Sequence, residues 1–155
     1  MKLRIMLADD HAVYRDALCM WLELAPDMEV VAQAHDGYSL LQGVAQSRPD
    51  VVCMDLNMPG LDGIESTRQL LQLQPTAKVI GLSASIDLLR VAEMFRVGAL
   101  AYVLKGSDGG ELLAAIRSVS QNRHYLDSAL GVKDVAELLR PSLSRHADTP
   151  SSALD

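Results

Sequence analysis

"VVCMDLNMPGLDG", Val51 to Gly63, decides how the rest of the chain is read. Val51 to Met54 is a short, continuous apolar run bounded by turn residues. That pattern suits a strand buried on both faces. The run ends on a carboxylate, Asp55, and Asn57, Pro59, Gly60, Asp62 and Gly63 then supply turn chemistry. Polar residues end strands in many proteins. What Asp55 means depends on what the other strands deliver beside it.

The same pattern repeats along the chain. Leu3–Ala8 (LRIMLA), Glu29–Ala34 (EVVAQA), Lys78–Leu82 (KVIGL) and Leu100–Leu104 read as further strands. Ala12–Ala25, Tyr38–Gln46, Glu65–Leu73, Leu88–Val97 and Glu111–Ser120 read as helices. In the first of these, Val13, Ala17, Leu18, Trp21 and Leu22 fall at helical spacing and Pro26 closes the run. Gly98 suits the end of the fourth. Five strand–helix units with continuous apolar strands predict an α/β fold: a doubly wound five-stranded parallel sheet of strand order 2-1-3-4-5, over residues 1–121. Residues 122–155 read as a linker. Within it, Ala129–Arg140 predicts an extra C-terminal helix with Leu130, Val135, Leu138 and Leu139 inward, ended by Pro141. Ser142–Asp155 has the composition of a flexible tail.

Composition narrows the function. The chain has 155 residues, 49% of them hydrophobic, enough for a real core. Its net charge is −6 and its Lys and Arg residues form no cluster, so it lacks the footprint of a nucleic-acid or anionic-membrane binder. No apolar run approaches the roughly 20 residues that span a bilayer. Asp9-Asp10 interrupts the N-terminus too early for a secretory signal, so the expected location is cytoplasmic, with no membrane partner. Cys19 and Cys53 fit no zinc or redox spacing and read as buried free thiols.

In a doubly wound fold, ligands bind outside the carboxyl ends of the strands, at the switch point between strands one and three. Strand one ends in Asp9-Asp10, strand three in Asp55, strand four in Ser83-Ala84-Ser85, and strand five in Lys105-Gly106. Each has an ordinary reading alone: helix caps, loop serines, a solvated lysine. Delivered to one rim, they make a specific set. Packed carboxylates repel unless a cation intervenes, and oxygen-only ligands on a wet rim favour Mg²⁺ (or Mn²⁺). A carboxylate beside such an ion can attack phosphorus and become an aspartyl phosphate. The ion, Lys105 and the Ser83 hydroxyl would then stabilise the transferring phosphoryl group. His11 has no second His at ligand spacing, which argues against a transition-metal site.

Asp9-Asp10, the block MDLNMPGLDG, Ser83-Ala84 and Tyr102-Val-Leu-Lys105 carry a resemblance over about residues 3–121. The chain resembles a two-component response regulator receiver domain. Asp9-Asp10-His11, Arg15-Asp16-Ala17-Leu18 and Gly98 to Lys105 are most similar to the LuxR/NarL-like subfamily. The resemblance implies that Asp55 is the phosphoacceptor. Asp10, Asp55 and the backbone carbonyl of Asn57 would hold Mg²⁺, and Asp9 would act through water. Ser83 would hydrogen-bond the phosphoryl group, with small Ala84 leaving access. Lys105 would pair with it, and Tyr102 would switch between inward and outward rotamers.

The implied donor is a sensor histidine kinase. The implied output is homodimerisation, or transcription through a helix-turn-helix domain, so that DNA would be contacted only through a domain absent from this chain. The protein would be a signalling switch rather than an enzyme. Ser83 stands where Thr is frequent. Gly106 stands where many members have Pro after a cis peptide; a cis bond before Gly costs about 2.5–4 kcal/mol, and both isomers stay open. The turn after Asp55 is expected to keep it exposed. Two alternatives remain: a stand-alone receiver or phosphorylation-independent interaction module, and an aspartate-nucleophile phosphatase. The latter would need Asp-x-Asp where this chain has Asp55-Leu56-Asn57.

Overall fold

A computed structural model describes residues 1–140, so the expected tail Ser142–Asp155 lies outside the described residues. Five strands stand where the apolar runs predict them: β1 (Leu3–Ala8), β2 (Met28–Ala34), β3 (Val51–Asp55), β4 (Lys78–Ser83) and β5 (Ala101–Leu104). The helices between and after them are α1 (Ala12–Glu23), α2 (Gly37–Ser47), α3 (Gly63–Leu73), α4 (Leu88–Arg96) and α5 (Gly109–Ser120). Every strand pair is parallel.

Alternation along the strands builds two cores. Met6, Val52, Met54 and Val79 face one side, where they meet Leu40 and Val44 of α2, Leu70 of α3 and Val91 and Met94 of α4. Ile5, Leu7, Cys53, Ile80 and Leu82 face the other, against Leu22 of α1 and Leu112, Ile116 and Val119 of α5. Cys19 and Cys53 are both free thiols. Burial pushes the Cys53 thiol up to about 12, which makes it inert at neutral pH. Helix α1 buries only Leu22 completely. Val13 and Trp21, which share its apolar periodicity, are exposed.

Two expectations need correction. The sheet has six strands, in the order β2-β1-β3-β4-β5-β6. The sixth, β6 (Tyr125–Leu126), pairs with β5 through Ala101 and Tyr102. Two residues are too few to carry a periodic signal. The chain reaches them through Asn122 in a left-handed turn (φ 61°) directly after α5. The single helix expected over 129–140 is also interrupted. A 3-10 turn at Ser128–Leu130 stops at Gly131 (φ 70°), and Asp134 caps a new one-turn helix, α6 (Val135–Leu138), by accepting from Glu137 N. Leu130 and Leu138 are buried nonetheless, in the same cluster as Met94, Phe95 and Tyr102. The face was legible, but the break at Gly131 overrode the helical period. No cis peptide bond occurs among the described residues.

The turn after β3 uses its glycines differently. Gly60 sits at φ 74°, a conformation that favours glycine. Gly63 is needed for proximity: a Cβ there would lie 2.5 Å from the Asp55 carbonyl oxygen and 2.7 Å from Leu56 Cα. Both are backbone atoms that cannot yield without moving β3 or α3. Gly63→Ala is therefore expected to destabilise the fold by about 1–3 kcal/mol, as overpacking does elsewhere. Urea unfolding measures this, and an unchanged midpoint would show that α3 docks more loosely on β3.

Candidate functional site

Aspartates cap each of the four helices that follow β2 to β5. Asp36, Asp62, Asp87 and Asp108 each accept from a backbone N–H in the first turn of α2, α3, α4 and α5 respectively. The pair at the end of β1 does not follow this rule. The N-cap of α1 is His11, whose side chain makes no capping bond. Asp9 Oδ1 instead accepts from His11 N at 2.8 Å. This removes the helix-cap reading of Asp9-Asp10 and leaves both free to face the rim.

Three strand ends converge there. Lys105 Nζ, one residue past β5, lies 2.7 Å from Asp9 Oδ2 and 3.4 Å from Asp55 Oδ2. Both carboxylates are 1% exposed, so the expectation that the turn leaves Asp55 exposed is wrong. The turn does lead the chain away, but Asp9 and Lys105 close over the space it vacates. The two Oδ2 atoms are fully buried, and the Lys105 ammonium is what they face. Asp55 Oδ1 accepts from Asn57 N at 3.1 Å. Burial pushes the Asp55 carboxyl above its ordinary range and Asp9 adds to the rise, while the Asn57 N–H and the Lys105 ammonium oppose it.

Asp10 is more open to solvent. Together Asp9, Asp10, His11 and Asp55 bring four ligand atoms within 4.8 Å of one another. His11 Nδ1 is 3.2 Å from Asp9 Oδ1 and 3.4 Å from Asp10 Oδ1, so the histidine set aside on spacing stands inside the acidic cluster. One ammonium against three carboxylates leaves the rim short of positive charge. Carboxylate oxygens clustered this closely are the kind of donors a hard divalent cation takes. The residues present therefore fit Mg²⁺ or Mn²⁺.

The loop after β4 completes the rim. Ser83 is buried, its Oγ accepts from Ser85 N at 3.2 Å, and its carbonyl accepts from Lys105 N at 2.8 Å. Ala84 is exposed. Tyr102 is 1% exposed and lies inward beside the Ser83 side chain. Burial raises its phenol above the usual range.

Two residues were not found by the sequence reading. The Tyr14 ring lies under Lys105 Nζ, 4.8 Å from centroid to nitrogen. Burial, with Asp9 next, pushes its phenol up to about 12. Its position one helical turn beyond Asp10 was the available signal. Arg90 on α4 donates to Asn57 Oδ1 at 2.8 Å and approaches the Leu56 carbonyl at 3.4 Å and Asp62 at 3.8 Å. It thus ties α4 to the loop after Asp55. No local motif announces a contact made across 33 residues.

The response regulator receiver domain family matches residues 5–117. This chain belongs to that family. Among curated relatives, the transcriptional regulatory protein LiaR of Bacillus subtilis is 38% identical over 136 residues, covering 88% of this chain and 64% of LiaR. The oxygen regulatory protein NreC of Staphylococcus epidermidis is 38% identical over 154 residues, covering 99% of this chain and 69% of NreC. The chain thus spans about two-thirds of the length of these two relatives. Among solved structures, a LuxR-family two-component response regulator from Aurantimonas sp. SI85-9A1 superposes with a TM-score of 0.82 at 31% identity, covering 94% of this chain and 99% of that one. The chain is a receiver domain of the LuxR/NarL type. No described helix is long and apolar enough to cross a membrane.

Arg90→Ala should free the receiver's α4 N-terminus from the loop after Asp55. Losing the Asn57 bond is expected to cost about 1 kcal/mol. Hydrogen–deuterium exchange should rise in residues 56–58 and 84–90 together; a rise in only one segment would mean that Arg90 does not couple them.

Proposed function

We propose that this receiver accepts a phosphoryl group on Asp55 from a sensor histidine kinase and uses it to switch an output. The observation that carries the reading is the Lys105 ammonium shared between the buried Oδ2 atoms of Asp9 and Asp55. A carboxylate held beside a cation and a second acid supports the reading of a nucleophile toward phosphorus.

Asp10, Asp55 and the Asn57 carbonyl would hold Mg²⁺ or Mn²⁺, with Asp9 acting through water. When bound, the ion withdraws charge from the phosphoryl oxygens and offsets the crowding of the carboxylates. An Asp55 oxygen attacks phosphorus, the phosphorus–nitrogen bond to the donor imidazole breaks, and the leaving nitrogen regains its neutral form with a proton from solvent. The Asn57 N–H keeps the carboxylate oriented. Lys105 releases Asp55 and pairs with the phosphoryl oxygens, and the Ser83 hydroxyl donates to one of them. Exposed Ala84 leaves the approach clear. Because Ser83 stands beside Tyr102, its movement changes what the tyrosine packs against. The switch is then a shift between two arrangements of the β4 loop, Tyr102 and α4, biased by the phosphoryl group.

The output we propose is homodimerisation and transcription regulation through a DNA-binding domain outside this chain, in a cytoplasmic protein. The names of LiaR and the LuxR-family structure support this direction. A phosphatase reading is disfavoured by Asn57, whose side chain accepts from Arg90 and can supply no general acid.

With acetyl phosphate and Mg²⁺, the protein should gain an acid-stable, base-labile phosphoryl adduct. Asp55→Asn should abolish it, and Asp10→Asn should weaken it through lost metal affinity, on the order of 10-fold or more. An adduct at full level in Asp55→Asn, read by intact-mass spectrometry, would contradict the assignment.

A further inference from the structure

The segment that carries Lys105 is held within itself by a single turn bond, Ser107 N donating to the Leu104 carbonyl at 3.1 Å. Gly106 follows the lysine with nothing within 4 Å of where its Cβ would stand, and no proline ring restricts the backbone there. Yet Lys105 Nζ must be placed to a few tenths of an ångström between two buried carboxylates. One anchor is the Lys105 N–H on the Ser83 carbonyl, from the β4 side. A further anchor comes from beyond α5.

Asp127 directly follows β6 and is 1% exposed. Its N–H donates to the Tyr102 carbonyl at 2.9 Å, which is the last backbone rung between β5 and the extension. Its side chain then continues the ladder where β6 stops: Oδ2 accepts from Leu104 N at 2.9 Å and from Ser107 Oγ at 2.5 Å. Oδ1 accepts from Ala129 N at 2.9 Å and caps the 3-10 turn. Burying a carboxylate is costly unless it is fully hydrogen-bonded, and this one is. The two groups on Oδ2 bracket Lys105-Gly106 on either side.

The segment after Asp127 is part of the same body. Leu130 and Leu138 are buried with Tyr102, Met94 and Phe95, and His124 stands edge-on to Phe95 with centroids 5.8 Å apart. Tyr125 hydroxyl donates to Glu111 on α5 at 2.7 Å. Residues 124–138 thus cover the side of β5 next to α4.

We propose that Asp127 is a positioning residue for Lys105, and that it transmits the state of the Asp55 site to residues 124–138. This rests on the reading of Asp55 as phosphoacceptor. When Lys105 moves onto a phosphoryl group, the Leu104–Ser107 segment moves with it. The Asp127 carboxylate carries that displacement into β6, the 3-10 turn and the contacts of Leu130 and Leu138. Coupling of this kind is reciprocal, so loosening Asp127 weakens what Lys105 does at Asp55.

The test is a beryllofluoride titration of the whole chain with Mg²⁺, followed by ¹⁵N resonances of backbone amides and of the Lys105 ammonium. In the wild type, binding should shift the Lys105 ammonium and also the amides of residues 126–130. Asp127→Ala should weaken beryllofluoride binding on the order of 10-fold, alter the Lys105 ammonium signal and abolish the shifts at 126–130. Ser107→Ala, which removes only one donor to the carboxylate, should show the same changes to a smaller degree. It decides the matter if Asp127→Ala does not fold. Variant affinities within twofold of wild type with an unaltered Lys105 signal would overturn the proposal and leave the phosphoacceptor reading intact. A wild type that binds no beryllofluoride would overturn both.

Discussion

One lysine ammonium between two buried carboxylates is the constraint on which the rest of this receiver depends. Asp9 and Asp55 lie at the ends of adjacent strands, and their Oδ2 atoms are buried. Lys105 compensates them at 2.7 and 3.4 Å. Breaking a buried pair of this sort costs about 3–5 kcal/mol, because a charge is left alone in a poor solvent. The arrangement is therefore held firmly in one state. It also leaves a charge deficit that a divalent cation and a phosphoryl group together can resolve in another. The proposed switch would draw on the same three side chains that give this stability.

Aspartate chemistry in this chain follows placement. Asp36, Asp62, Asp87 and Asp108 spend their oxygens on helix N-termini, and Asp127 and Asp134 do the same in the C-terminal extension. Asp55 and Asp9 cap no helix, and each turns one oxygen to Lys105. Asp127 combines roles: one oxygen caps a turn, and the other supports the loop that follows Leu104. Arg90 works in parallel on the opposite side of the site, through Asn57. The rim is thus supported from α4 and from β6, two elements that supply none of the residues proposed to contact the phosphoryl group or the metal.

Strands β1, β3, β4 and β5 were legible as mostly apolar runs covered on both faces, and β2, which carries Glu29 and Gln33, was legible from its Val30-Val31-Ala32 centre. The rim was legible for a related reason. In a parallel sheet every strand ends on the same side, so the residues closing the runs are brought together by topology alone. β6 and the break at Gly131 were not legible, since a two-residue strand has no period and a left-handed glycine looks like any other in a helical pattern. Tyr14 and Arg90 were missed because helical faces, unlike strand ends, do not announce which neighbour they meet.

By itself the sequence determined the β/α alternation, the identity of the residue that ends each strand, and hence the membership of the rim: Asp9, Asp10, Asp55, Ser83 and Lys105. These follow from local hydrophobic pattern, which acts over a few residues. Only the tertiary structure decided that Asp9 and Asp55 are buried rather than exposed, that Tyr102 lies inward against Ser83, and that Asp127 grips the lysine's loop from 23 residues beyond Leu104. Those outcomes depend on distances between remote segments. Burial and hydrogen bonding respond to such distances over tenths of an ångström, a scale on which a linear pattern carries no information.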